Sequence, residues 1–395
     1  MSPRARATTA VLVAALVAAG CGKSSTTTKT VLFPTSGSKG DQPQAAVELG
    51  FPIFATKNTT RVAGADPIAD AAAIARAVFP SVSAGDRPKA VALVDVKDWR
   101  SALAASVLMS APIRAPVLFS DGTSLPSASA DALTALAPSG SEPAGGAQVV
   151  RIGDVARPKG LKTTDLVGRD PASLARAIDA FQASARGVSA DNVLVVSYDK
   201  PEYAMPAAAW AAKTGDPILF ATKDTLPEPT RVAIAAHQQP HIYVLGPSSV
   251  ISPKVTRLLR TLGTVVRVGD QDPQSNAVAF AKYADSNFGW GVIDPGHGLV
   301  FASPTRPADA AAAAPLSASG TYGPLLLVDG SGEVPKPVSD FLLDIQPGYS
   351  KDPTRGVYNH GWIIGDDTAV SVAAQAKIDS ALEIVPAKNS LPSKP

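Results

Sequence analysis

Apolar positions along this chain change period in a fixed order. Ala71, Ile74, Ala75 and Val78 fall at helical spacing after Pro67. So do Leu174, Ala177, Ile178 and Phe181 after Pro171, and Ala277, Phe280, Ala281 and Ala284 after Pro273. Each set predicts a helix with one buried stripe. A short continuous apolar run follows each: AVALVD from Ala90, NVLVVS from Asn192 and GLVFAS from Gly298. Such runs predict strands buried on both faces. Next comes an alanine-rich helix, in SALAASVLMSA, AMPAAAWAAKT and ADAAAAAPLSA. A second apolar strand lies in APVLFSDGTSLP, DPILFATKDTLP and GPLLLVDGSGEVP. Leu-Pro or Val-Pro then opens a further short helix, and a closing strand ends at Gly in QVVRIGD, HIYVLGP and GWIIGDD. Strands alternating with helices in this way predict an α/β fold of three Rossmann-like repeats with mostly parallel sheets.

The repetition is marked at its start by one motif. RVAGADPIAD from Arg61, LVGRDPASLA from Leu166 and RVGDQDPQSNA from Arg267 each join a strand end to a helix start. The prolines Pro67, Pro171 and Pro273 are 104 and 102 residues apart, too long a period for a solenoid. Asp66, Asp170 and Asp272 stand where a helix N-cap accepts free backbone N–H groups, and Pro follows at the first helical position. The expected organisation is a leader at 1–20, a tether and lead-in at 21–59, repeats at 60–164, 165–266 and 267–385, and a tail at 386–395.

The order of GADP, DWRSALAAS, PVLFSDGTSLP and VVRIGD in the first repeat resembles the cell wall-binding repeat 2 family. The second repeat shows GRDP, PEYAMPAAA, PILFATKDTLP and YVLGPSSVIS; the third shows GDQDP, RPADAAAAA, PLLLVDGSGEVP and IIGDDTAVS. The family's acidic residue at the second helix matches Asp309, with Ser101 and Tyr203 at the other two places. The resemblance covers roughly residues 60 to 385. It implies three units packed around a pseudo-threefold axis in one chain. It also implies non-covalent attachment to a cell-wall polymer, an anionic glycopolymer.

Composition sharpens this reading. The chain has 395 residues, 45% of them hydrophobic and 18% charged, with 35 Pro and 31 Gly, which suits a large core with many turns. MSPRARATTAVLVAALVAAGC has a basic start and a short apolar run, as a secretory leader does. Its end resembles a bacterial lipobox, which makes Cys21 the lipidated residue and the membrane a partner through a lipid anchor. The protein is then exported and held on the outer face of the cytoplasmic membrane. Cys21 is the single cysteine, so the chain holds no internal disulfide. Setting aside Arg4 and Arg6 of the leader leaves 34 basic and 34 acidic residues, with no global field to draw nucleic acid.

Candidate chemistry is local. Arg61, Arg151 and Arg267 flank strand ends and are candidates for holding phosphate or carboxylate groups bidentately. The turns SDGTS, ATKDT and DGSGE follow strands where open α/β sheets bind ligands, which makes Ser120, Thr123, Thr222, Thr225 and Ser331 further polymer-binding candidates. Trp99, Trp210, Trp290 and Trp362 are candidates for stacking on sugars, Trp210 and Trp362 having core-like surroundings. His237 and His241 are four apart, but Pro240 breaks the helix that would align them. The sequence assembles no catalytic constellation, no metal site and no cofactor fingerprint. Two rivals to a polymer-binding lipoprotein stay open: a solute-binding lipoprotein serving a transporter, and an envelope hydrolase.

Overall fold

The computed structural model describes residues 54–387 apart from 63 and 321. The leader, Cys21, most of the tether and the end of the tail lie outside the described residues. In chain order, β1 (Phe54–Ala55) and β2 (Thr59–Val62) lead into α1 (Pro67–Val78). Next are β3 (Val91–Asp95), α2 (Trp99–Ala105), β4 (Val117–Ser120), α3 (Ser127–Leu136), β5 (Val149–Ile152) and β6 (Thr163–Leu166). The middle of the chain holds α4 (Pro171–Arg186), β7 (Asn192–Ser197), α5 (Pro201–Ala204), α6 (Pro206–Thr214), β8 (Ile218–Ala221) and α7 (Glu228–Ala236). It continues with β9 (His241–Leu245), α8 (Pro253–Leu259) and β10 (Thr264–Val268). The last third has α9 (Pro273–Lys282), β11 (Gly298–Ala302), α10 (Ala308–Ala318), β12 (Leu325–Leu327) and α11 (Lys336–Asp344). It ends with β13 (Gly348–Tyr349), β14 (His360–Ile364), α12 (Val372–Ala381) and β15 (Val385–Pro386).

Three sheets share one plan. Their orders are β4-β3-β5-β6, β8-β7-β9-β10 and β12-β11-β14-β2, the third extended by the β1 hairpin strand. All pairings are parallel except β1 with β2. The central strands are continuous buried runs, as a sheet covered on both faces requires. We call the three sheets with their helices units I, II and III.

Sheet membership is offset by one strand from the sequence repeat. The strand before each Asp-Pro step completes the sheet of the preceding unit, while the helix after it packs on the next. Thus β6 pairs with β5 of unit I, and α4 packs on β8 and α7 of unit II. Likewise β10 pairs with β9, and α9 packs on β12 and α11 of unit III. Among the described residues no unit precedes β2; it pairs in parallel with β14, Arg61 beside Ile363, and closes unit III. The strand order is therefore cyclic: the first strand of the series finishes the last sheet.

The alanine-rich helices α2, α6 and α10 meet one another where the units join. Their side chains are almost wholly buried, including Ala102–Ala105, Ala207–Ala212 and Ala310–Ala314. Alanine suits this place because small side chains let helix backbones approach while still removing apolar surface from water. Around this core, α1 packs on α10, α4 on α2 and α9 on α5, the same relation at each junction. The result is the pseudo-threefold arrangement. One element departs from the apolar pattern: α9 stops at Lys282, leaving Ala284 exposed. There Asp285 takes the N–H groups of Asn287 and Phe288 at 2.8 and 2.9 Å and turns the chain out of the helix.

Candidate functional site

The junctions explain why the opening motif is written as it is. Asp66, Asp170 and Asp272 are extended N-cap residues that accept from Ala69, Ser173 and Ser275 N–H at 2.9, 2.8 and 2.8 Å, with Pro in the first turn. The glycine just upstream lies against that first turn. A Cβ on Gly64 would come 2.7 Å from Asp70 N, and one on Gly168 2.7 Å from Leu174 N. Gly269 is as tightly faced by Asn276. Asp70, Leu174 and Asn276 thus occupy equivalent junction positions, each fully or nearly buried. Neither atom of the Asn276 amide has a hydrogen-bond partner in the structure.

In a sheet of this order the usual ligand crevice opens at the carboxyl ends of the two central strands, where the connections diverge. Here protein side chains occupy it. The glycine that ends the third strand in the order of each sheet (β5, β9 and β14) faces a filler. A Cβ on Gly153 would meet Leu174 Cδ1 at 3.4 Å, one on Gly246 would meet Tyr203 Cδ1 at 3.6 Å, and one on Gly365 would meet Arg306 Nη1 at 3.1 Å. Tyr203 is tied down by its hydroxyl, which donates to Gln271 O at 2.6 Å. Arg306 is held by Asp70, by Asp309 Oδ2 at 2.8 Å and by Asp366 at 3.6 Å. Asp70 and Asp309 are fully buried. Burial pushes both carboxyls above the usual carboxylate range; their mutual repulsion adds to this at Asp70, and the Arg306 charge opposes it.

The arginines singled out from the sequence sit on three different sheets and are turned inward. Arg61 donates Nε to Gln375 Oε1 at 2.8 Å and Nη1 to Gly365 O and Asp366 O at 2.8 and 2.9 Å. Burial lowers its pKa to about 10, so it is cationic at neutral pH. Arg267 donates to Gly246 O and Ile251 O at 2.5 and 2.7 Å. Arg151 donates to Ala156 O at 2.9 Å and to Val155 O, and pairs with Asp165 at 2.8 Å. Each guanidinium clamps the loop that leaves the third strand of its own sheet. In units II and III the clamp stands on the fourth strand; in unit I it stands on the third, opposite Asp165.

The turn residues are likewise engaged locally. Ser120 is buried, donates to Gly122 O and Ser124 O at 2.6 and 2.8 Å, and accepts from Ala156 N at 3.0 Å. Thr222 Oγ1 accepts from Thr225 N at 3.0 Å, and Ser331 Oγ from Glu333 N at 3.3 Å. Thr123, Thr225 and Ser331 are exposed. Trp210 is buried with Trp290 edge-on at 5.3 Å, and Trp362 is half-buried beside His360. His237, which Pro240 separates from any helical alignment with His241, pairs its Nε2 with Asp179 Oδ2 at 2.9 Å, with Nδ1 2.8 Å from Ala190 O. Residues 58 positions apart carry no local signal of that pairing. Among the described residues no group of His, Cys, Asp or Glu is placed to hold a metal ion, and no helix is long and apolar enough to cross a membrane.

Open space lies at the opposite, amino-terminal edges of the sheets. In unit I there are hollows of 450 and 720 Å³; in unit II there is one of 290 Å³. Side chains thus pack over the glycine that ends each third strand, and these hollows lie at the amino ends of units I and II. Residues 166–256 match the family described as cell wall binding domain 2 (CWB2). The CWB2 match runs from the end of β6 into α8, so it covers β7, β8 and β9 of the second sheet and follows the phase of the sequence repeat. The fold is similar to that of Cwp6 from Clostridium difficile, with a TM-score of 0.63 at 19% identity over 82% of this chain and 48% of that one. It is also similar to Cwp8 from Clostridium difficile, with a TM-score of 0.62 at 20% identity over 83% of this chain and 52% of that one. The chain spans about half the length of these two structures. None of the curated proteins matches it.

Proposed function

We propose that this protein binds cell-wall polymer non-covalently through its three-unit body, tethered to the membrane by a lipid on Cys21, and that it acts by binding rather than catalysis. The CWB2 match over residues 166–256 carries this reading. The common plan of the three sheets extends it from the matched segment to the whole body. Leu174, Tyr203 and Arg306, which fill the carboxyl-edge crevices, favour contact over a surface against enclosure of a small solute. The chain without its leader has no net charge, so attraction to an anionic glycopolymer rests on a local excess of cations.

The test is co-sedimentation of the full chain with purified, protein-free cell wall, beside a thermal-shift screen of small solutes. Retention on the wall that weakens with salt is expected, with no solute raising the melting temperature. Absence from the wall pellet together with stabilisation by one solute would replace this reading with transport; turnover of wall material would replace it with hydrolysis. Radiolabelled palmitate incorporation that disappears in Cys21→Ser checks the lipid.

A further inference from the structure

Unit I differs from its siblings at the amino-terminal edge of its sheet. The two hollows there share Arg87. The first is lined by Arg87, Lys89, Arg114 and one carboxylate, Asp86; the second by Arg87 and Lys159, with no acidic residue in its wall. That is four cations against one anion, on a chain with no net charge beyond its leader. All four cations are exposed, and none enters an ion pair among the described residues. Asp86 is already engaged, accepting from Ser83 Oγ at 2.7 Å. The corresponding hollow of unit II is lined by Asp191, two histidines and amide side chains, with no lysine or arginine. The cation cluster is therefore not a by-product of the shared fold.

Two further features suit a ligand. Arg114 has a φ of 54°, a left-handed backbone that a residue with a side chain rarely adopts. Bonds from its own N–H to Ser110 O at 3.0 Å and from Ala115 N to Leu108 O at 2.8 Å hold it in that conformation at the rim of the hollow. The second hollow has an apolar wall of Leu125, Leu133, Pro138, Pro158 and Leu161 beside its cations. A cationic rim next to an apolar wall fits sugar rings that carry charged groups. It fits them better than a lone anion, which would gain nothing from the wall.

We propose that this edge of unit I, with Arg87 between its two hollows, is the seat of an acidic glycan chain whose successive anionic groups meet Arg114 and Lys89 on one side of Arg87 and Lys159 on the other. This deepens the wall-binding reading and rests on it for the source of the glycan.

The experiment compares three full-length proteins in co-sedimentation with purified wall and in titration with soluble polygalacturonate. They are the natural chain, Arg87→Glu/Lys89→Glu/Arg114→Glu, and the control Lys254→Glu/Arg257→Glu/Arg260→Glu, which makes the same charge change on α8 of unit II and the residue that ends it. The proposal expects the edge variant to bind both materials about tenfold or more weakly and the control to stay within about twofold of the natural chain. Arg87→Gln/Lys159→Gln gives a second reading at uncharged side chains should the reversal variant fail to fold; a loss of about threefold or more is expected from it. An edge variant that binds the wall as the natural chain does overturns this proposal and leaves the wall-binding reading standing. A natural chain that ignores the wall yet binds polygalacturonate through the edge supports the seat and overturns the wall as its source. Full displacement by millimolar inorganic phosphate, or preference for phosphatidylglycerol vesicles over polygalacturonate, overturns the glycan assignment.

Discussion

Arg61 is 4% exposed, and three acceptors of unit III depend on its guanidinium: Gln375 Oε1, Gly365 O and Asp366 O. Leaving buried acceptors without a charged donor costs more than the bonds contribute net, so Arg61→Ala should lose about 3 kcal/mol in urea unfolding. A loss below about 1 kcal/mol would show that the clamp is dispensable. His237 makes a pH prediction. Burial works against its charge, but the hydrogen bond and charge of Asp179 outweigh burial and raise the pKa. A raised histidine pKa contributes stability that is fully present below the ordinary value near 6.5 and is lost as pH rises through the folded value. Melting temperature should therefore fall on the alkaline side of 6.5, and His237→Gln should remove that part of the slope. The arginine positions were legible as strand-flanking cations. Their partners were not, because main-chain carbonyls of a loop leave no trace in residue identity. Nothing in GDRPKA by itself marks Arg87 and Lys89 as part of a cluster; only the fold shows them lining hollows with Arg114 and Lys159.

At the scale of elements, the main strands and helices of each repeat and their order could be read from apolar period together with the Asp-Pro starts; the short β1, β13 and β15 and the helices α8 and α12 were not read. Pairing could not be read so directly. The four residues of β2, TTRV, say nothing of β14, which lies about three hundred residues away in sequence. The repeat supplied a phase, and the phase is one strand out of step with the sheets. The junction glycine follows from that step: chain leaving one sheet must turn at once into a helix that lies against it. Gly168→Ala should cost about 1–3 kcal/mol, because the new Cβ meets the backbone of α4, which cannot move aside as a flexible side chain would. Gly187→Ala is a poor control because of its positive φ; Gly85→Ala, with only Ser83 Oγ nearby at 3.8 Å, is the suitable one and should change stability by less than about 0.5 kcal/mol.

For the whole molecule, the junction between units III and I is the one closed by residues remote in sequence, and it contains the Asp70–Asp309–Arg306 group. Carboxyls held above their ordinary range keep a proton that the unfolded chain has released. Their contribution therefore falls as pH rises above the carboxylate value near 4. Hydrogen exchange in α1 and β2 should quicken with pH beyond the intrinsic rate increase, and Asp70→Asn, which fixes the uncharged form, should abolish the excess. Unchanged protection across pH 5 to about 9 would contradict it. Wall binding is best tested by the affinity of the full chain for purified wall polymer as a function of salt. Saturable binding that weakens steadily as salt rises is expected; no binding at low salt, or binding indifferent to salt, would contradict it.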